Sequence, residues 1–234
     1  MELIKRFDVE DGDPDKDILV VHGLSHSGGS PWYATATEPA WLRQDLFNDS
    51  NSNIIAFNYD NVFDSDKPMC TRLGLESVAR QLLDDIVAWK ASEGDRPFAI
   101  LSHDIGGVLV KMALVIASGD LGKYSQVLYS VYTLVFIGCP HKTSSIESLA
   151  NGFAALIYNA RSIPDLGLLQ AAKLCATVTT DVNHLFLNSN VPLRVQIISV
   201  FSEALDPLDR LGAYFVLLKN GHARFETGLM ISQN

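Results

Sequence analysis

One stretch constrains the fold of this chain more than any other: Ala99-Ile100-Leu101-Ser102-His103-Asp104-Ile105-Gly106-Gly107-Val108-Leu109-Val110. An apolar run of buried-strand length passes through a turn of small residues straight into an apolar, helix-compatible run. Such a sharp strand-to-helix elbow tolerates only small side chains two positions either side of its central residue, and Ser102 and Gly106 stand there. The central residue must accept a strained, positive-φ backbone, which Asp tolerates comparatively well, so Asp104 suits the turn. The following helix would present N–H groups and its positive dipole end to the carboxylate. The local sequence equally allows Asp104 to be a plain N-cap of that helix.

The rest of the chain repeats the alternation. Short apolar runs at Ile18–Val21, Ile54–Tyr59, Phe98–Leu101, Leu134–Ile137, Val195–Phe201 and Tyr214–Leu218 have strand length. Helical periodicity appears at Ala40–Phe47, Leu75–Lys90, Gly107–Ala117 and Leu166–Leu187. Strand then helix, repeated, predicts a doubly wound, mostly parallel sheet flanked by helices. The stretch 144–164 is mixed and reads either as a small lid or as a plain surface helix, so the lid is small or absent. With 234 residues, no internal repeat and no long low-complexity linker, one domain over 1–234 is expected.

Composition narrows function. A net charge of -9 provides no basic footprint for nucleic acid and would be repelled by anionic lipid. No apolar run approaches the ~18 residues of a membrane span, and the N-terminal stretch resembles neither a secretory nor a transit leader. The expected location is therefore the cytoplasm, without stable membrane insertion. Cys70, Cys139 and Cys175 are odd in number and lack ligand spacing, which fits free thiols in a reducing compartment. No metal and no cofactor are expected. The loop Ser25-His26-Ser27-Gly28-Gly29-Ser30 lacks the lysine and spacing of a phosphate loop. Trp32, Trp41 and Trp89 read as core or loop anchors, and His184 has no motif context.

The ordered motifs resemble the α/β-hydrolase superfamily, and within it serine-esterase-like, lipase-related domains found alone or at the head of larger, often fungal, proteins. Val20-Val21-His22-Gly23-Leu24 is similar to its early His-Gly strand end, Ala56-Phe57-Asn58-Tyr59-Asp60 to its next strand, and Phe136-Ile137-Gly138-Cys139-Pro140-His141 to its Gly-Thr-Pro-His segment. The resemblance covers about residues 18 to 226. It implies an α/β-hydrolase fold and the order nucleophile, acid, histidine. It departs at the elbow, where the family's Ser is Asp104. An elbow Asp resembles the nucleophile of epoxide hydrolases and haloalkane dehalogenases, although their following Trp is Ile105 here.

The implied site follows residue by residue. Asp104 would be the nucleophile, His222 in Gly221-His222-Ala223 the base, and Glu203 in Phe201-Ser202-Glu203 the acid, with Asp206 its competitor. Backbone N–H groups of Leu24 and Ile105 would form the oxyanion hole. His22, Gly23, His103, Gly106 and His141 would support the pocket, the histidines bracing loops instead of binding metal. Attack by a carboxylate on an ester carbonyl gives an anhydride no more stable than the ester, whereas an sp3 carbon such as that of an epoxide suits it. Tyr33, Tyr59 and Tyr158 are candidate acids for the departing oxygen. The expected partner is a small, apolar substrate. Two other readings stand beside this one: a non-hydrolytic acid–base enzyme for cyclisation, addition or elimination, and a pseudoenzyme that binds a small molecule or a protein. Oligomeric state is not legible.

Overall fold

The computed structural model describes residues 2–7, 14–24, 52–59, 68–141, 145–159 and 167–200. It places β1 (Glu2–Phe7), β2 (Lys16–Val21), β3 (Ser52–Asn58), β4 (Phe98–His103), β5 (Val131–Ile137) and β6 (Gln196–Val200) in one sheet of order β1-β3-β2-β4-β5-β6. β1 pairs antiparallel with β3, and every other pair is parallel. The strands expected from apolar runs at Ile18–Val21, Ile54–Tyr59, Phe98–Leu101, Leu134–Ile137 and Val195–Phe201 are β2 to β6 with slightly shifted ends. The antiparallel β1 was not anticipated. Its Lys5 and Arg6 break the apolar pattern, as charged residues do on the edges of sheets. The runs at 40–47 and 214–218 lie outside the described residues.

Among the described residues five α-helices accompany the strands: α1 (Arg72–Glu93), α2 (Ile105–Gly119), α3 (Leu121–Ser130), α4 (Ile146–Asn159) and α5 (Leu168–Asn188). α1 shows why these sequences become helices. Leu75, Val78, Ala79, Leu82, Leu83 and Ile86 recur at three and four spacing and are buried. The Thr71 side chain accepts the Gly74 N–H at 3.2 Å at one end, and Gly94 (φ 100) closes the other by donating to the Lys90 carbonyl. α2 is buried nearly all along its length, which is why it reads as continuously apolar around the single charge of Lys111. α3 has only a weak stripe, Tyr124, Val127 and Leu128, and was not expected. The mixed stretch at 144–164 contains α4, whose Leu149, Ala150, Phe153, Leu156 and Ile157 join the main core, so it is an integral packed helix.

Alternate residues of the parallel strands point to opposite sides. Leu19, Val21, Ile55, Phe57, Ile100, Leu134 and Phe136 meet all five helices in the main core. Ile18, Val20, Ile54, Ala56, Leu101, Val135 and Ile137 form a second buried cluster. Strands buried on both faces lose the polar alternation of a half-exposed sheet, which explains their unbroken apolar spelling. β6 is half exposed, with Ile197 and Ile198 each at 39%, because it is the last described strand on its side. At the amino end, buried Asp17 accepts hydrogen bonds from Asn53 (3.0 Å), Arg96 (3.2 Å) and Trp89 (3.4 Å), which ties β2 to β3 and α1 and makes Trp89 a structural anchor.

The topology positions the site. β2 lies between β3 and β4, so the chain leaves β2 in one direction, returns, and continues on its other side. Ligands of open α/β sheets bind outside the carboxyl ends of the strands at such a switch point. Here those ends are the segments after β2 and β4, brought together because Val21 is in register with Ser102. Two glycines permit the approach. A Cβ on Gly106 would lie 2.3 Å from the His22 carbonyl oxygen, and one on Gly23 would lie 2.6 Å from Asp104 Cβ. Gly106→Ala should therefore lower stability in urea unfolding by about 3 kcal/mol, the upper end of overpacking costs, because backbone atoms stand in the way. Gly152→Ala in α4, with open space at its Cβ, should instead be neutral or stabilising by about 0.5–1 kcal/mol.

Candidate active site

Asp104 sits between β4 and α2 with φ 53 and ψ -126, the one non-glycine residue among those described with positive φ. Such a conformation costs about 1–3 kcal/mol and persists only when its surroundings over-determine it. They do so here: the Asp104 N–H donates to the Ile137 carbonyl at 3.0 Å, and its own carbonyl accepts the Gly107 N–H at 3.1 Å. The expected elbow is therefore present. The side chain makes no capping hydrogen bond to α2. It turns toward the loop after β2, where the Leu24 N–H donates to Oδ2 at 3.2 Å.

The carboxyl group is buried, 2% exposed, and burial pushes its pKa up to about 6. The amides of Leu24 and then Ile105 pull the other way, because N–H dipoles aimed at the group favour its ionised form. These are the two amides expected to line an oxyanion hole, and both act on Asp104 itself. The other oxygen, Oδ1, is buried with no hydrogen-bond partner among the described residues. Three titratable groups nearby are held neutral. Burial lowers the His103 pKa to about 4, with His22 adding to the effect, and burial raises the Cys139 thiol to about 11. Tyr59 is pushed well above the usual phenol range by burial and by the Asp104 charge. Above pH 6 the Asp104 carboxylate thus stands beside neutral His103, Cys139 and Tyr59.

The three bracing histidines have distinct settings. His22 stacks on Tyr59 with ring centroids 4.1 Å apart and 9° between planes. Its Nε2 accepts the Tyr59 N–H at 3.3 Å, so the ring proton belongs on Nδ1, which donates to the Gly23 carbonyl at 2.8 Å. The Tyr59 hydroxyl donates to the His22 carbonyl. This engages the phenol as a structural donor and removes it from the candidate acids, while Tyr158 on α4 is 68% exposed. His103 is fully buried beside Gly23, within 2.9 Å of where a Cβ would stand.

His141, itself exposed among the described residues, caps a polar network built on buried Lys111 and Asn183. Lys111, 2% exposed, donates to Asn183 Oδ1 at 2.6 Å and to His141 Nδ1 at 2.9 Å, and sits 5.1 Å from the Phe136 ring centroid. His141 Nε2 meets Ser199 Oγ at 3.1 Å, and Asn183 donates to the Pro140 carbonyl at 3.1 Å and to that of His141. A cation on Nδ1 disfavours imidazolium; with burial as the larger cause, it holds His141 at about 4. His141 is thereby a poor base and a good brace, joining the loop after β5 to α2, α5 and β6. Lys111, Asn183 and the structural role of Tyr59 were missed from sequence. A lone charge in an otherwise apolar helix was the available signal for Lys111.

Glu203, Asp206, His222, Tyr33, Trp32, Trp41 and the loop 25–30 lie outside the described residues. Among the described residues no cluster of three or more His, Cys, Asp or Glu is arranged to hold a metal ion. His184 lies exposed on α5 beside Asn188.

Burial of Asp104 has a sign that can be checked. Its folded pKa is raised, so the favourable contribution is complete below the unfolded value near 3.9 and is lost as pH climbs to about 6. Asp104→Asn should consequently be more stable than the wild type at pH 8. The gain should reach at most about 3 kcal/mol, at ~1.4 kcal/mol per pH unit, and shrink toward zero near pH 4. Thermal melts of both proteins from pH 4 to 8 measure it.

No protein-family model matches the chain. It is similar to Protein SERAC1 of Homo sapiens, 25% identical over 171 residues, 64% of this chain and 25% of that protein, and to the Mus musculus protein at 24% over the same length. The chain thus spans about a quarter of the length of these relatives. Among solved structures, lipase BlEst2 of Bacillus licheniformis superposes with TM-score 0.57 at 16% identity, covering 96% of this chain and 86% of that one. A lipase-esterase related protein of Clostridium acetobutylicum superposes with TM-score 0.50 at 10% identity, covering 94% of each chain. With its parallel strands, elbow and switch point, the chain has the α/β-hydrolase fold.

Proposed function

We propose that the chain is a hydrolase-like enzyme whose nucleophile is the Asp104 carboxylate, acting on a small, apolar substrate with an electrophilic sp3 carbon such as an epoxide. The observation that carries this reading is the division of labour in the carboxylate: Oδ2 holds the Leu24 amide while Oδ1 has no hydrogen-bond partner among the described residues. A free, desolvated carboxylate oxygen is a better nucleophile than a solvated one. Oδ1 attacks the ring carbon, the carbon–oxygen bond of the epoxide breaks, and the departing oxygen takes a proton from Tyr33 or Tyr158, the remaining candidate donors, to which the carboxylic acid formed on ester hydrolysis returns it. In the resulting alkyl ester Oδ2 is the carbonyl oxygen, already at the amide of Leu24. Water, giving its proton to His222, adds to Cγ, and the negative charge that develops on Oδ2 is stabilised in place. Collapse expels the product alkoxide, which recovers the proton from His222. Glu203, with Asp206 as competitor, would orient the imidazole.

We place this activity in a single domain over 1–234, in the cytoplasm, among serine-esterase-like, lipase-related domains including their fungal members. Support comes from the motif order, from the similarity to part of Protein SERAC1, and from three buried free thiols. No described helix is long and apolar enough to cross a membrane. A second reading is favoured by the Asp104 pKa of about 6, which also suits a general acid–base for cyclisation, addition or elimination without a covalent intermediate. Loss of both activities would leave a pseudoenzyme that binds a small molecule or protein.

Mass spectrometry of His222→Ala after exposure to epoxides, alkyl halides and activated esters separates these readings. Without its base the enzyme should accumulate an adduct on the Asp104 peptide, absent in Asp104→Asn, while turnover falls about 10²–10⁴-fold. Adduct formation should rise about tenfold per pH unit below about 6 and then level off, as the carboxylate ionises. Turnover without an adduct would favour acid–base chemistry, and neither would favour the pseudoenzyme.

A further inference from the structure

The amide of Leu24 is useful to Asp104 only if it points at Oδ2, yet it follows Gly23, the residue type with the widest backbone freedom. Something must fix the two peptide planes flanking that glycine. The polar contacts around His22 do so in sequence. The plane between His22 and Gly23 is held at its carbonyl by the Tyr59 hydroxyl. The plane between Gly23 and Leu24 is held at its carbonyl by His22 Nδ1 at 2.8 Å. A trans peptide is planar, with C=O and N–H pointing in opposite directions. Pinning the Gly23 carbonyl on one side therefore aims the Leu24 N–H to the other, where Oδ2 accepts it at 3.2 Å.

The imidazole can pin that carbonyl only in one tautomer and one orientation, and Tyr59 sets both. Its N–H donates to Nε2 at 3.3 Å, which leaves the proton on Nδ1. Its ring stacks on the imidazole at 4.1 Å, which fixes the ring plane. We propose that Tyr59 and His22 form a clamp that aims the Leu24 amide at Asp104, with Tyr59 as a positioning residue that does not touch the reacting atoms. Tyr59 stands at the end of β3, so the neighbouring strand sets one arm of the hole. Both members are buried, Tyr59 at 4% and His22 at 5% exposed, so water does not compete for these hydrogen bonds. The inference deepens the nucleophile reading, but the clamp itself can be measured without any substrate.

The experiment is carbon-13 NMR titration of the Asp104 carboxyl in the full chain with labelled aspartate, assigned by its loss in Asp104→Asn. The wild-type midpoint should lie near 6. Tyr59→Phe removes the hydroxyl but keeps the stack and the main-chain N–H, and His22→Ala removes the pin itself. Loss of a well-aimed amide to a charged acceptor should raise the midpoint by up to about one pH unit in His22→Ala and by a smaller amount in Tyr59→Phe. His22→Asn, which keeps a donor close to the Nδ1 position, should restore most of the shift. Leu82→Ala, a core truncation in α1, should lower stability and leave the midpoint in place. Unchanged midpoints in folded Tyr59→Phe and His22→Ala, or an equal shift in Leu82→Ala, would overturn the clamp. Failure of every electrophile to modify Asp104 would overturn the nucleophile reading and leave the clamp standing.

Discussion

The arrangement rests on one close approach of backbone to backbone. The loop after β2 and the first turn of α2 touch where Gly106 faces the His22 carbonyl, at a distance no side chain could share. That contact places the Leu24 amide within reach of a residue 80 positions further along the chain. It also requires the turn between β4 and α2 to be sharp enough to force positive φ on Asp104. Strain, glycine spacing and the position of the carboxylate are consequences of the same geometry. Parallel pairing of β2 with β4 at the switch point makes the approach possible, and the main core beneath α2 holds it.

Placing a carboxylate in that position is costly, and the surroundings reduce the cost only in part. The backbone amides of Leu24 and Ile105 favour the anion, while burial opposes it more strongly, so the pKa is raised despite them. Neutral His103, Cys139 and Tyr59 provide no compensating cation beside it. A chain under selection for stability alone would discard this combination of backbone strain and an incompletely partnered buried charge; functional sites retain such features. Among the described residues, the buried cation Lys111 on α2 is engaged with Asn183 and His141. There it organises the loop after β5 and lowers the basicity of His141.

Much of this was legible in sequence, for identifiable reasons. Strands buried on both faces spell themselves as unbroken apolar runs, so β2 to β5 were readable, as was α1 from its repeated stripe. The elbow was readable because few residue sets fit such a turn, and it identified Asp104, Ile105 and Gly106 together. β1 was hidden by Lys5 and Arg6, which suit an edge but interrupt the pattern, and α3 by its narrow stripe. The bracing role of the histidines could be expected by type, but not its partners. Tyr59, Asn183 and Ser199 act through long-range contacts that no local spacing encodes. Tyr59 stood in sequence as one of three candidate acids with Tyr33 and Tyr158, whereas its neighbours make it a donor to the backbone.

The central claim is that an oxygen of Asp104 itself enters the product. A single turnover with enzyme in excess in heavy-oxygen water, using an electrophile that modifies the trapped variant, tests it directly. If the carboxylate attacks carbon and water then attacks Cγ, the heavy oxygen should appear in the Asp104 side chain and the product should carry unlabelled oxygen. Heavy oxygen in the product, with none in Asp104, would show that water attacks the substrate directly and that Asp104 acts as a base or not at all.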